Sequence, residues 1–156
     1  MDPNLSFYEA TVNPDWIDYN GHMSEAYYVL TFGLATKAFL EHLDIGEGYR
    51  ARTASSFYTV EAHINYLREV GEGAGLHFAT QLLGVDTKRI HLFHTMYKTG
   101  AEEALATTEV LVIHVDEKPR VTPMPEYALE RLRGVYMAHG GLPKPAQAGR
   151  RIGLQD

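Results

Sequence analysis

The chain has 156 residues, 45% of them hydrophobic and 22% charged, with a formal net charge of −6 and no cysteine. This composition is typical of one folded domain that buries its own core; it excludes disulfides and thiol nucleophiles and disfavours nucleic acid as a partner. No apolar run reaches the ~18 residues that span a membrane, and the first residues carry no signal-peptide pattern, so we expect a cytoplasmic protein without membrane contact.

The first part of the chain predicts a strand, a turn-rich segment and a long helix. Residues 6–13 alternate in polarity like a short strand, and the segment through Asn20 and Gly21 has turn character. From Ser24, a plausible N-cap, to about His42, apolar side chains recur at helical spacing. These apolar positions are Tyr27, Leu30, Leu34, Phe39 and Leu43. Gly33 in the middle costs about 1 kcal/mol relative to alanine, which suggests close backbone packing there.

The rest of the chain predicts a meander of strands and a second helix. After a loop containing Gly46 and Gly48, a strand follows in which Tyr58, Val60, Ala62, Ile64 and Tyr66 form one apolar face. Its opposite face carries Thr59, Glu61, His63 and Asn65. Three more strands are predicted over residues 76–85, 90–99 and 104–116, a helix over 125–139 and an extended tail over 141–156.

This order predicts an α+β class, in the hot-dog arrangement: a long central helix wrapped by an antiparallel sheet of about five strands. We predict one domain over residues 1–140, which includes the C-terminal helix, followed by the tail.

The histidines do not suggest a metal site. His91 and His94 are three residues apart on a predicted strand and so point to opposite faces, and no His-Glu-x-x-His pattern occurs. No serine lies in a Gly-x-Ser-x-Gly elbow either. We therefore expect no bound metal and no serine triad.

Asp18 and His22 flank the Asn20–Gly21 turn immediately before the long helix. A substrate carbonyl placed there would meet both a carboxylate and the free N–H groups of the first helical turn, which suit a developing oxyanion. The alternative is structural: Asp18 closes an Asx turn and His22 packs at the helix entrance. From spacing alone the two interpretations are equally supported.

The segment "DYNGHMSEAYY" (18–28) resembles the Asp-x-x-Gly-His-Val/Met-Asn signature, with a tyrosine four residues on, of the hot-dog acyl-CoA thioesterases related to 4-hydroxybenzoyl-CoA thioesterase. The strand "YTVEAHINYLREVGEG" fits the second element of that family. The segments "DWIDYNGHM", "FYTVEAHINYL", "KRIHLFH", "LVIHVD" and "GRRIGL" together resemble the betainyl-CoA thioesterases of bacterial carnitine breakdown. The resemblance covers nearly the whole chain.

The resemblance implies hydrolysis of an acyl-CoA, with coenzyme A as part of the substrate and no separate cofactor. It makes Asp18 the catalytic carboxylate, as nucleophile or general base, with His22 in the same motif. The backbone N–H near Glu25 would polarise the thioester carbonyl. Ser24 departs from the asparagine found in most of the superfamily. A homodimer or homotetramer with sites between subunits is also implied.

The remaining candidates concern substrate recognition. Glu61, His63 and Asn65 either face solvent or line the acyl pocket, with Glu61 as a second carboxylate. A quaternary ammonium is held by aromatic faces and negative charge. The candidates for such an aromatic cage are Trp16, Tyr19, Tyr27, Phe57 and Tyr58. Asn20 and Gly21 are predicted to contact substrate. Lys88 and Arg89, and secondarily Arg150 and Arg151, are candidate partners of the CoA phosphates.

Three alternatives stay open at this point. The acyl group could be hydroxybenzoyl or a short chain. The chain could instead be a hot-dog hydratase, which adds water across a double bond with an Asp and His pair, or a noncatalytic acyl-CoA binding module.

Overall fold

A computed structural model describes residues 5–154. It contains five strands and three α-helices, together with a short 3₁₀ turn over Pro14–Trp16. In chain order these are β1 (Ser6–Thr11), α1 (Glu25–His42), α2 (Glu47–Thr53), β2 (Ser56–Tyr66), β3 (Gly75–Val85), β4 (Arg89–Lys98), β5 (Ala104–Val115) and α3 (Glu126–His139). No helix in this part of the chain combines the length and the apolar character needed to cross a membrane.

The strands form one antiparallel sheet in the order β1-β3-β4-β5-β2, and α1 packs across one face of it. We call the face that contacts α1 the inner face and the opposite one the outer face. Near the start of α1, the inner-face core joins helical Tyr28 and Phe32 to Phe78 and Met96 of the sheet. Near its end, Phe39 and Leu40 meet Leu92, Val110 and the buried side of α3. The predicted hot-dog α+β fold is confirmed.

The predicted helix α1 is present and Phe39 is buried as expected, but most of its other buried residues lie one position after the predicted ones. Its buried residues are Tyr28, Thr31, Phe32, Ala35, Thr36, Phe39 and Leu40. Leu30 is exposed instead. Ser24 is the N-cap residue, but its side chain makes no capping hydrogen bond. The prediction of close backbone packing at Gly33 is wrong, because a Cβ there would meet no atom within 4 Å.

The loop predicted around Gly46 and Gly48 contains a helix, α2. A carboxylate oxygen of Glu41 accepts a hydrogen bond from the N–H of Glu47, which compensates a free donor at the start of this helix. Tyr49 is buried in the core. The side chain that supports the first turn thus comes from α1, and the low helix propensity of the two glycines is why the sequence suggested only a loop.

Strand β2 contains a β-bulge at Val60, which changes the predicted faces. Thr59 pairs with Val112 and Glu61 with Leu111, so that Val60 is the extra residue. An inserted residue shifts the alternation of side chains by one position. Phe57 therefore faces the core before the bulge and Ile64 after it. The single apolar face predicted from Tyr58 to Tyr66 is wrong, since Tyr58 and Val60 lie on the outer side.

The C-terminal tail contains neither helix nor strand through Leu154 and lies against the outer face of the sheet. Gln81 Nε2 donates to the carbonyl of Pro143 at 3.4 Å, and Gly149 N donates to Glu109 Oε2 at 2.6 Å. Gly149 has a φ of +78°, which favours glycine. The tail is thus held at two points, on β3 and on β5.

Candidate functional site

The segment between the 3₁₀ turn and α1 forms a compact loop, residues 16–24. Ile17 and Met23 form an isolated antiparallel bridge. Asp18 N donates to His22 O and Gly21 N donates to Asp18 O, each at 3.0 Å. Gly21 adopts a φ of +79°, the left-handed conformation that a glycine accepts without strain. Asp18 and His22, predicted as partners from the sequence, therefore face each other across the neck of a tight turn.

The half-buried carboxylate of Asp18 fits both interpretations at once. Its Oδ1 accepts a hydrogen bond from Asn20 N at 2.8 Å, which is the Asx turn of the structural alternative. Within residues 5–154, Oδ2 has no hydrogen-bond partner. One oxygen therefore fixes the orientation of the carboxylate while the other remains available to a substrate or a water molecule.

Helix α1 begins directly behind this loop and presents unpaired donors. Ser24 N donates to Trp16 O at 2.9 Å and Tyr27 N donates to Ser24 O at 3.0 Å. The N–H groups of Glu25 and Ala26 have no acceptor in the described part of the chain, and both residues are exposed. Two amides at the positive end of an 18-residue helix can stabilise a negative oxygen.

Two of the five cage candidates meet at this loop. Trp16 and Tyr27 stack with ring centroids 5.4 Å apart and planes inclined by 14°. Tyr19 is 98% exposed at the tip of the turn. Phe57 packs against Tyr49 at the other end of β2. A single chain therefore supplies only part of the predicted cage near Asp18.

The predicted CoA-binding residues lie at the far end of the sheet. Arg89 pairs with Ile113 of β5, and Ile113 also pairs with Tyr58 at the start of β2. Glu25 and loop 16–24 lie instead near Tyr66, at the end of β2. The eight-residue separation of the two tyrosines corresponds to about 26 Å along a strand. Arg89 Nη2 is also 2.6 Å from Asp86 Oδ2, which lowers the pKa of that carboxyl group through hydrogen bonding and charge. Lys88 is exposed.

Glu61, His63 and Asn65 lie on the outer face, away from α1. Glu61 and His63 line a cavity of about 380 Å³ that no residue of loop 16–24 lines. Asn65 pairs with Thr107 on the neighbouring strand. The structure therefore separates the predicted second carboxylate, Glu61, from Asp18 within one chain.

The same cavity contains a hydrogen-bonded pair, His91 and Glu109, that the sequence patterns did not predict. His91 Nε2 lies 2.7 Å from Glu109 Oε1. Burial acts to raise the pKa of Glu109, but the hydrogen bonds from Gly149 and His91 outweigh it, so that the pKa is lowered. Only the register of β4 on β5 makes these two residues neighbours. A search for residue pairs at fixed sequence spacing could not have found them.

The other buried histidines have structural partners. His94 lies on the inner face between Thr36 and Thr80, so that it and His91 point to opposite sides, as expected. His114 Nε2 is 2.6 Å from the Tyr49 hydroxyl. Over residues 5–154 there is no group of three or more His, Asp or Glu side chains that could hold a metal ion.

Comparison with known proteins places this geometry in a family. The model of the thioesterase-like superfamily matches residues 12–132. The chain is 42% identical over 155 residues to the betainyl-CoA thioesterase of Pseudomonas aeruginosa PAO1, which covers 99% of this chain and 98% of that protein. It is 38% identical over 150 residues to the L-carnitine dehydrogenase/betainyl-CoA thioesterase of a Rhizobium species, where the match covers 96% of this chain and 30% of that longer protein.

Among solved structures, the protein SAV2348 of Staphylococcus aureus, determined in complex with CoA, superposes with a TM-score of 0.89. The two chains are 26% identical, and the alignment covers 96% of each. The similarity thus includes the whole arrangement of helix and sheet that carries loop 16–24.

Proposed function

Because the chain belongs to the thioesterase-like superfamily, we propose that it hydrolyses betainyl-CoA to glycine betaine and CoA, with Asp18 as its catalytic carboxylate. The observation that carries this proposal is the 42% identity to a betainyl-CoA thioesterase over 99% of the chain. The oriented Asp18 carboxylate and the free N–H groups at the start of α1 support the proposal.

In the proposed reaction, the thioester carbonyl lies between Asp18 Oδ2 and the N–H groups of Glu25 and Ala26. Asp18 either attacks the carbonyl carbon, which forms an acyl-Asp18 anhydride that water hydrolyses after CoA has left, or removes a proton from an attacking water and then releases that proton to solvent. On both routes the two amides stabilise the negative oxygen that develops. The thiolate of CoA then leaves; its conjugate acid has a pKa of about 8.5, so it departs without a strong general acid. We propose that His22 supports the site through its backbone carbonyl, which accepts the hydrogen bond from Asp18 N.

Recognition of the acyl group is proposed to rest on the stacked rings of Trp16 and Tyr27. A quaternary ammonium cannot donate hydrogen bonds, and an aromatic face attracts it through the ring quadrupole. Tyr19, Asn20 and Gly21 lie at the tip of the same loop, where we propose that they contact the substrate. Coenzyme A enters as part of the substrate, and we propose no separate cofactor and a cytoplasmic location.

We also propose that the site is completed in a homo-oligomer through β2, the long edge strand of the sheet. β2 has 11 residues, and one of its backbone edges pairs with no other strand of residues 5–154, so it is a template for pairing with another strand. Antiparallel pairing of two fully overlapping β2 strands brings the Phe57 end of one copy to the Tyr66 end of the other. Phe57, Tyr58, Lys88 and Arg89 would then approach the Asp18 loop of the second subunit, as a homodimer or within a homotetramer.

Mixing two defective variants tests the shared site. Asp18→Asn alone and the double variant Lys88→Gln/Arg89→Gln alone should each hydrolyse a subsaturating acyl-CoA poorly. A randomly reassociated one-to-one mixture should recover about a quarter of the wild-type rate, because half of the dimers then hold one intact site. If the mixture is no faster than the average of its components, both groups of residues serve the same subunit or the cations do not bind CoA.

Thiol release measured against a panel of CoA thioesters tests the reaction itself. We expect betainyl-CoA to give a kcat/KM at least tenfold above that of a neutral isostere, acetyl-CoA or a long-chain acyl-CoA, in keeping with about 1.4 kcal/mol or more from cation recognition. Preference for hydroxybenzoyl-CoA or another neutral acyl-CoA would show that the proposed acyl group is wrong, while the proposed thioesterase activity would stand. Binding without thiol release would favour a binding module, and hydration of an enoyl-CoA without thiol release would favour a hydratase.

A further inference from the structure

The outer-face cavity of about 380 Å³ lies between β2, β4, β5 and the C-terminal tail, on the side of the sheet opposite α1. Its polar lining consists of Glu61, His63, His91, Glu109, Arg150 and Arg151. Loop 16–24 contributes no residue to it. The cavity is therefore separate from the Asp18 site within one chain.

One wall of this cavity is already built by internal hydrogen bonds. Glu109 Oε1 is bound by His91 Nε2 at 2.7 Å and Glu109 Oε2 by Gly149 N at 2.6 Å. Backbone hydrogen bonds from Ala148 to Pro145 and from Arg150 to Gln147 stiffen the adjoining tail. The hydrogen bond between Gly149 and Glu109 thus holds Arg150 and Arg151, the two residues after Gly149, at the rim of the cavity.

Four charged or titratable side chains of the cavity have no such partner. Glu61, His63, Arg150 and Arg151 make no side-chain hydrogen bond or ion pair within residues 5–154. All three charged side chains are exposed, so a single ligand that carries both charges could pair with all of them. Here two cations and one anion remain unpaired on different walls.

We propose that this cavity binds a small zwitterion, whose carboxylate lies against Arg150 and Arg151 and whose cationic nitrogen lies beside Glu61. Two guanidinium groups are suited to a carboxylate, which accepts paired N–H donors. A nucleotide is a poor fit, because the carboxylates of Glu61 and Glu109 would repel its phosphates and the volume is near the lower end for ligand sites. A simple anion would pair only with the two arginines, and a simple cation would pair only with Glu61.

The site does not depend on the proposed thioesterase reaction, because loop 16–24 contributes no residue to it. The lining side chains project from the outer face, perpendicular to the backbone edge that β2 offers to a second copy. Pairing at that edge therefore adds a strand beside β2 and not a layer over the outer face. The zwitterion site can also be tested in protein that shows no turnover.

Amide NMR titration of the full chain with glycine betaine, choline and acetate tests the proposal. We expect glycine betaine to give saturable shifts at residues 61, 63, 109 and 149–151, with an affinity about tenfold or more above those of choline and acetate, each of which carries one of the two charges. Glu61→Gln, and separately Arg150→Gln/Arg151→Gln, should each weaken this binding by about tenfold.

The matched controls are Glu117→Gln and Lys118→Gln, exposed charges of the turn after β5 that lie outside the cavity. Neither should change the binding of glycine betaine. Shifts confined to loop 16–24, or equal affinity for glycine betaine and acetate, would overturn the proposal. It would also fail if the double arginine variant raised KM for the acyl-CoA, because the pair would then serve the CoA phosphates.

Discussion

Replacing Asp18 with asparagine should lower kcat for thioester hydrolysis by about a thousandfold, within the range for loss of a nucleophile or general base. The fold should persist, because the amide oxygen of asparagine can still accept the hydrogen bond that Asn20 N donates to Oδ1. What the variant removes is the negative charge on Oδ2. Thiol release under saturating substrate and thermal unfolding of the same preparation measure the two effects.

Asp15→Asn is the matched control, since Asp15 is three residues earlier and exposed, and no side-chain bond of its carboxylate occurs in the described chain. It should retain wild-type kcat. A near-wild-type kcat in Asp18→Asn would instead mean that Asp18 only closes the Asx turn, and the proposed catalytic role of its carboxylate would be wrong. Equal losses in both variants would indicate a general effect of charge around the loop.

Local sequence signals were sufficient for the features in which neighbouring residues determine the geometry. The Asn20–Gly21 pair and the flanking Asp18 and His22 predict a turn before a helix, and the structure has this turn with Gly21 at positive φ. The order of the strands and of the two longer helices likewise follows from alternation and helical spacing, whereas the short helix α2 was predicted as a loop. The hot-dog architecture was therefore accessible from the sequence.

Features that depend on distant residues were not accessible. Nothing in the alternation of residues 56–66 indicates that Val60 is bulged, because the bulge is defined by how β5 pairs with β2. For the same reason Glu61 and His63 could not be placed relative to Asp18, and the His91–Glu109 pair was missed. A candidate site read from one strand is only as reliable as the register of that strand.

The fully buried His94 should make the protein progressively less stable below neutral pH. Thr36 Oγ1 can donate to Phe32 O, so it accepts from His94 Nε2–H at 2.8 Å, and Nδ1 then accepts from the Thr80 hydroxyl at 2.8 Å. Protonation of Nδ1 would break this arrangement and create a buried charge. Burial accordingly lowers the pKa of His94 from 6.5 to about 3.

Because the folded-state pKa lies below the unfolded value, the unfolded chain binds one more proton between them, and the stabilisation present above pH 6.5 is lost as pH falls toward 3. We expect the free energy of unfolding to decrease by about 1.4 kcal/mol per pH unit from this group well below pH 6.5. Burial lowers the pKa of His114 as well, which adds a slope of the same sign. His94→Gln should remove only the His94 part, whereas His22→Gln, at an exposed histidine, should leave the slope intact. Urea unfolding from pH 7.5 to 5 measures these slopes, and an undiminished slope in His94→Gln would show that other groups cause the acid sensitivity.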